Sequence, residues 1–257
     1  MDHTVVIDQD EDGPSHERPS SSMLRLDPEA DVADTDPIYY FSLLVFLVKG
    51  RLFKVPRIFF ETQSAIFKNM FMLPNGVENH DPEGSSDANP IHLEGVKRKD
   101  FAAFLKLLIP LNPLDPIHLE KEEWIGALEI STMWEFKRIR ETAIPGLDSQ
   151  TMDVTERIIF GHKYGIHEWI LPAYIELATR KTAPTIEEVN RLGLVFSLKL
   201  FEAREKIINA TALARGFKEG RDGGSNFWPH ELEREVSYTE IFASVFGKDF
   251  GDFLPSF

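Results

Sequence analysis

From Ile38 to Val48 every residue but Ser42 is apolar or aromatic, Lys49-Gly50 follows, and Arg51-Leu52-Phe53-Lys54-Val55 opens a second run. A glycine in a two-residue break supplies the positive φ of a tight hairpin turn, so the pattern predicts a buried strand and a β-hairpin. Pro56 cannot donate to a continuing ladder but suits the first turn of a helix, which places helix from there. Ser64 is positioned to cap a second short helix carrying Ile66, Phe67, Met70 and Phe71 inward, ended by Pro74-Asn75-Gly76. Residues 74–90 are loop-forming, and Pro90-Ile91-His92-Leu93-Glu94-Gly95-Val96 alternates as a half-exposed strand does. Asp100 stands at a capping position before Phe101, Phe104, Leu105 and Leu108, whose spacing is helical, and Pro110 stops the run. Leu111 to Pro116 is loop.

After Glu120 the period stays helical. Trp124, Ile125 and Leu128 share a face, as do Phe136, Ile139 and Ala143, then Val154, Ile158 and Gly161, then Ile170, Tyr174 and Leu177. Thr185 with Glu188 forms a capping box ahead of Val189, Leu192, Phe196 and Leu200. The helical body is expected to run to about Gly216, with 216–225 a flexible linker. Phe242, Phe246, Phe250, Phe253 and Phe257 recur at intervals of three or four, an apolar stripe if helical. That stripe can fold back on the chain or dock in a partner's groove; the expectation is docking in cis, with Phe242, Phe246 and Phe250 as anchors and Tyr238 near the helix start.

Composition changes the picture mainly by exclusion. The 257 residues carry a formal charge of -14, with ten acids against Arg18 and Arg25 before Asp36. That balance opposes a dominant nucleic-acid or anionic-membrane surface. Residues 1–35 read as a disordered acidic arm, either an interaction tail or a plain solvated one. No cysteine is present, which removes disulfides, thiolate metal sites and a cysteine nucleophile, and suggests a reducing compartment. The acidic N-terminus differs from a secretory signal, and the longest apolar run is about half of the roughly 20 residues that span a bilayer. An intracellular protein is expected, with cytoplasm and nucleus not distinguished.

The search for chemistry yields no catalytic, cofactor or metal assignment. G-x-S-x-G, G-x-G-x-x-G, G-x-x-x-x-G-K and H-E-x-x-H are all missing from the sequence. His162, His167 and Glu168 are the nearest approach to a metal site, but if one helix carried both histidines the rings would lie about 140° apart around it. Trp124, Trp134 and Trp169 fall on helical faces beside aliphatic residues and read as core, with the walls of a ligand pocket as the other use. Lys97-Arg98-Lys99 reads as a solvated turn, and Asn209-Ala210-Thr211 is chemically idle without secretion.

Certain words then stand out in order: Asp36-Pro37-x-Tyr39-Tyr40, Leu52-Phe53-Lys54-Val55-Pro56-Arg57, Phe60-Glu61-x-x-Ser64-x-x-Phe67 and Met70-Phe71-x-Leu73-Pro74. They continue with Glu83-Gly84-x-Ser86-Asp87, Pro90-Ile91-x-Leu93-x-Gly95-Val96, Asp100-Phe101, Glu123-Trp124 and Ser131-Thr132-Met133-Trp134-x-Phe136. Arg140-x-x-Ala143-Ile144, Tyr164-x-Ile166-x-x-Trp169-Ile170-x-Pro172-Ala173-Tyr174 and Glu187-Glu188-x-x-x-Leu192-Gly193 complete the set. With the order hairpin, helical pair, strand, helix, helices, the chain resembles a fungal branch of the BTB/POZ proteins over about residues 36–206.

The resemblance implies an α+β fold: a BTB/POZ-like core (36–146) of a hairpin and third strand covered by helices, then an all-α extension (147–215). The linker (216–225) and a Phe-rich C-terminal segment (226–257) follow. It also implies a non-enzymatic protein-protein interaction module that self-associates as a homodimer, serving as a scaffold or as a substrate adaptor for cullin-type ubiquitin ligases. The chain departs from the animal pattern at Val55-Pro56 and Ile109-Pro110-Leu111, and Val77-Glu78-Asn79 lacks the glutamate two residues after an apolar one that cullin binders tend to show. The candidate interaction residues are Val77, Glu78, Phe242, Phe246 and Phe250. The alternative is a small-molecule sensor or enzyme using a cleft between core and extension.

Overall fold

The structure, a computed structural model, describes residues 34–73, 81–221 and 236–247, with only the backbone of 214–221. The chain divides into two units, Met1–Tyr40 and Phe41–Phe257. In the first, the Asp36 carboxylate accepts from the amides of Ile38 (2.8 Å) and Tyr39 (2.7 Å), closing a tight turn. These two bonds to the charged form hold its pKa below the ordinary value.

The second unit is mixed α+β. Strands β1 (Leu43–Val48) and β2 (Arg51–Pro56) pair antiparallel, Leu43 opposite Pro56 and Val48 opposite Arg51. Lys49 (φ 47) and Gly50 (φ 78) turn the hairpin with two left-handed residues, the geometry that matches the strands' twist. The expected strand from Ile38 is shorter: residues 38–42 lie outside it, and Ile38 is 69% exposed. Helices α1 (Arg57–Gln63) and α2 (Ala65–Met72) follow at once. Ser64 caps α2 by accepting from the Phe67 amide at 3.2 Å and donates to the Trp134 carbonyl at 2.7 Å, fixing α2 to a distant turn. Of the four residues expected to point inward, Phe67 is buried and Phe71 half-buried, whereas Ile66 and Met70 face solvent.

Strand β3 is only Ile91–His92, parallel to β1 with Phe46 opposite Ile91, giving the order β2-β1-β3. Beyond it the Leu93 amide still donates to the Leu47 carbonyl of β1 at 3.0 Å, after which the alternating residues up to Val96 leave the sheet. Helix α3 (Arg98–Leu108) is capped at Lys97, so Asp100 sits in the first turn rather than at the cap. There it still faces the positive end of the helix dipole. Helices α4 (Lys121–Met133), α5 (Lys137–Asp148), α6 (Val154–Tyr164), α7 (His167–Thr179), α8 (Ile186–Leu192), α9 (Leu194–Arg221) and α10 (Tyr238–Phe246) complete the described residues. Capping boxes open α4, α6 and α8. The backbone of α9 continues past Gly216 to Arg221: its helix-forming neighbours outweigh the roughly 1 kcal/mol that a glycine costs.

Two apolar clusters hold the unit together. The first gathers Phe46, Phe60, Phe67, Phe101, Phe104 and Phe136 under the sheet and draws in Tyr164, Ile166 and Trp169 from the α6–α7 junction. Its rings meet mostly edge to face, as their quadrupoles prefer: Phe104 and Phe136 lie 4.9 Å apart at 75°. The second packs α6, α7, α9 and α10 around Tyr174, Leu200, Ala203 and Phe242. Arg140 ties α5 to α4 and to the end of α6, donating to Thr132 Oγ1 (3.0 Å) and to the Tyr164 carbonyl (2.8 Å).

Candidate interaction surfaces

The tryptophans settle into packing. Trp124 and Trp169 are buried, and Trp134 lies edge-on to Phe67 at 5.3 Å and to Phe104 at 5.8 Å. Trp124 and Trp169 belong to the first cluster and Trp134 packs against it, so they serve the core rather than line an open wall. Lys97, Arg98 and Lys99 are exposed at the start of α3. Asp100 beneath them has its pKa raised, first by burial, against the pull of Lys97 and with the push of Glu129.

The two histidines do not share a helix. His162 lies near the end of α6, Gly165 (φ 61) breaks it in the left-handed conformation, and His167 begins α7. The one-helix geometry considered from sequence therefore does not apply, because a left-handed residue reorients the chain between them. The His162 Nε2 lies 2.7 Å from the Tyr174 hydroxyl. Burial, and then the neighbouring His167, push the His162 pKa down, while burial pushes that of Tyr174 up. Both groups are thus held neutral in one hydrogen bond. Among the described residues no group of three or more histidines, aspartates or glutamates could hold a metal ion, and no helix is long and apolar enough to cross a membrane.

Tyr174 is also the seat of the C-terminal helix. Its ring stands 5.5 Å from Phe242, 5.2 Å from Phe246 and 5.1 Å from Phe196. Ser237 caps α10 by accepting from the Glu240 amide, and Phe242 and Phe246, one turn apart, both face inward, 0% and 8% exposed. Lys206 Nζ reaches Ser244 Oγ at 3.3 Å, and Lys199 Nζ lies 5.6 Å above the Phe246 ring, so α10 lies against α9. Phe242 and Phe246 are therefore spent on the chain's own second cluster. Val77, Glu78 and Phe250, with Phe253 and Phe257, lie outside the described residues.

The exposed apolar residues are elsewhere, and sequence reasoning passed over most of them. Leu111 (100% exposed) and Leu114 cap the loop between α3 and α4, where the Asn112 side chain accepts from the Leu114 amide and shapes a turn. On α9, Leu194, Leu198, Phe201 and Ile208 face solvent. The signal for the latter is apolar residues on two sides of one helix, of which the periodicity of Val189, Leu192, Phe196 and Leu200 marks only one. No family model and no curated protein matches the chain.

Proposed function

We propose that the chain is a non-enzymatic protein-protein interaction module with a BTB/POZ-like core and a helical extension, self-associating as a scaffold or serving as a ubiquitin-ligase substrate adaptor. The observation that carries this is the order of elements: an antiparallel hairpin, a helical pair, a short strand parallel to the first, a helix, and then helices to the end. That order coincides with the ordered words from Asp36 to Gly193. Large exposed apolar side chains on α9 and on the α3–α4 loop supply surface of the kind that protein partners cover.

The test pairs two measurements on the full chain. Light scattering across a micromolar dilution series is expected to show a mass above the monomer. Titration of a purified cullin scaffold then separates an adaptor, which binds, from a scaffold, which does not. A ligand at a hundred times its dissociation constant stabilises by roughly 2.7 kcal/mol. A strict monomer that binds no cullin, yet is reproducibly stabilised by a metabolite, would replace this reading with that of a small-molecule sensor.

A further inference from the structure

Strand β2 forms one edge of the sheet, and the register of the hairpin decides which of its main-chain groups face outward. With Lys49-Gly50 as a two-residue turn, Val48 exchanges both bonds with Arg51, Phe46 with Phe53 and Leu44 with Val55. The alternate residues of β1 confirm the pattern from the other side: the Val45 amide donates to the Gly84 carbonyl at 2.9 Å, and the Leu47 carbonyl accepts from the Leu93 amide at 3.0 Å. Their partners across the hairpin, Lys54 and Leu52, therefore turn N–H and C=O away from β1. Among the described residues nothing pairs with these four groups, and Leu52 is 43% exposed. On the other face of the strand the Phe53 ring packs 5.0 Å from Phe101, which holds the edge firmly against α3.

We infer that this edge takes an added strand from a partner protein, an acidic extended segment lying antiparallel to β2. Four free main-chain groups at strand spacing are matched by main chain that is itself extended. Charge chooses among strands. Lys49, Arg51 and Lys54 are exposed along the hairpin, which holds no acid from Leu43 to Pro56 on a chain of formal charge -14. The chain also leaves β3 at the end where the hairpin turns and exposes Lys97, Arg98 and Lys99 five residues after His92, with Glu94 the one exposed acid between. A second copy's β2 is a poor occupant, because two sets of Arg51 and Lys54 would meet in one short ladder, the means by which edges avoid each other. An acid is a good one. Lys54 Nζ reaches Asp87 Oδ1 at 3.2 Å, but with side chains 51% and 63% exposed this is a weak surface pair that an incoming carboxylate can share. In the added strand, residues opposite Leu52 and Lys54 turn their N–H towards β2 and their side chains to the Lys54 face, while the alternate residues lie beside half-buried Phe53. The pattern sought is thus acidic and apolar in alternation. This names a class of partner for the interaction module proposed above and rests on that reading.

The probe is a fluorescent heptapeptide of alternating valine and glutamate with blocked ends, titrated into the full chain and read by anisotropy. Saturable binding is expected, and the same peptide with lysine in place of glutamate should bind at least roughly fivefold more weakly. Lys54→Glu should reverse that order, and Asp87→Asn, which releases Lys54, should tighten the glutamate peptide. Both positions are exposed, so both variants should keep the native circular dichroism spectrum. N-methylation of the glutamates, whose N–H groups face β2, should abolish binding, whereas N-methylation of the valines should leave it. A glutamate peptide that does not saturate, a lysine peptide that binds equally, or indifference to Lys54→Glu overturns the acidic-strand site. Equal binding of the two methylated peptides overturns strand addition. Any of these results in a chain that still self-associates or binds a cullin removes this site and leaves the interaction-module reading standing; a strict monomer that binds neither peptide nor cullin removes both.

Discussion

Replacing Phe242 by alanine asks how firmly α10 is part of the fold. The ring is 0% exposed and packed between Tyr174 and Phe246, so the substitution removes a fully buried aromatic and opens a cavity. Such changes cost about 3–5 kcal/mol when the surroundings cannot relax. Here they can. Helix α10 has nine residues, fewer than the roughly 12–15 at which an isolated helix becomes even marginal in water, so it persists only while docked. Once it detaches, the missing ring has no further cost, and the free energy of docking caps the effect. The lower end, about 3 kcal/mol, is therefore expected, which for a unit of this size lowers Tm by about 6–12 °C. The assay is thermal unfolding by circular dichroism together with binding of a dye for exposed apolar surface. Deleting residues 226–257 should give a similar shift, since detachment is the ceiling for both, whereas Leu111→Ala, at a fully exposed site, should give none. If Phe242→Ala and the deletion both melt with the parent and stay soluble while a binding partner is lost, then the segment works in trans and the reasoning fails.

Other positions give equally direct outcomes. A Cβ at Gly126 would stand 2.6 Å from Asp100 Cβ, so Gly126→Ala should force α3 and α4 apart and cost about 1–3 kcal/mol in denaturant unfolding. Arg180 Nη1 donates to Glu188 Oε1 at 2.7 Å, with both side chains less than a third exposed, and chiefly this bond draws the Glu188 pKa down to about 2. A lowered carboxyl pKa stabilises fully above the ordinary value of 4.5, and that stabilisation is lost as pH falls from there towards 2. Arg180→Ala should then cost about 1–2 kcal/mol at neutral pH and flatten this acid limb, read from Tm against pH. His162, its pKa lowered by burial, contributes stability that is complete above 6.5 and declines as pH falls below it. His162→Phe should remove that decline, and an unchanged pH profile would show that protonation of His162 is not its cause.

Much of the architecture was legible because it is decided locally. Lys49-Gly50 admits a two-residue turn, Thr185 with Glu188 closes a capping box within four residues, and Pro110 ends a helix by lacking a donor. What sequence misplaced is decided by neighbours remote along the chain. The run from Ile38 has strand composition, but the paired residues begin only at Leu43, and β3 pairs with β1 over two residues only, with one further bond from the Leu93 amide to the Leu47 carbonyl. The histidine geometry failed at one residue: the left-handed Gly165 splits a helix that periodicity alone would carry through. The exposed apolar side of α9 was hidden for the opposite reason, since a helix apolar on two sides does not say which side the fold will use.

The first cluster does not stop where the core's own helices stop. Tyr164, Ile166 and Trp169 join the cluster that includes the sheet's Phe46, while Val154, Ile158 and Ile170, interleaved with them in sequence, pack into the second cluster. Helices α6 and α7 are thus common property of both, and a cut in the turn between α5 and α6 would strip the sheet side of a tryptophan and a tyrosine at once. For anyone moving this module into another protein, the smallest portable piece therefore extends at least through Trp169. For evolution, a recombination event at that turn would be selected against by the packing itself, so sheet and extension are bound to be inherited as one.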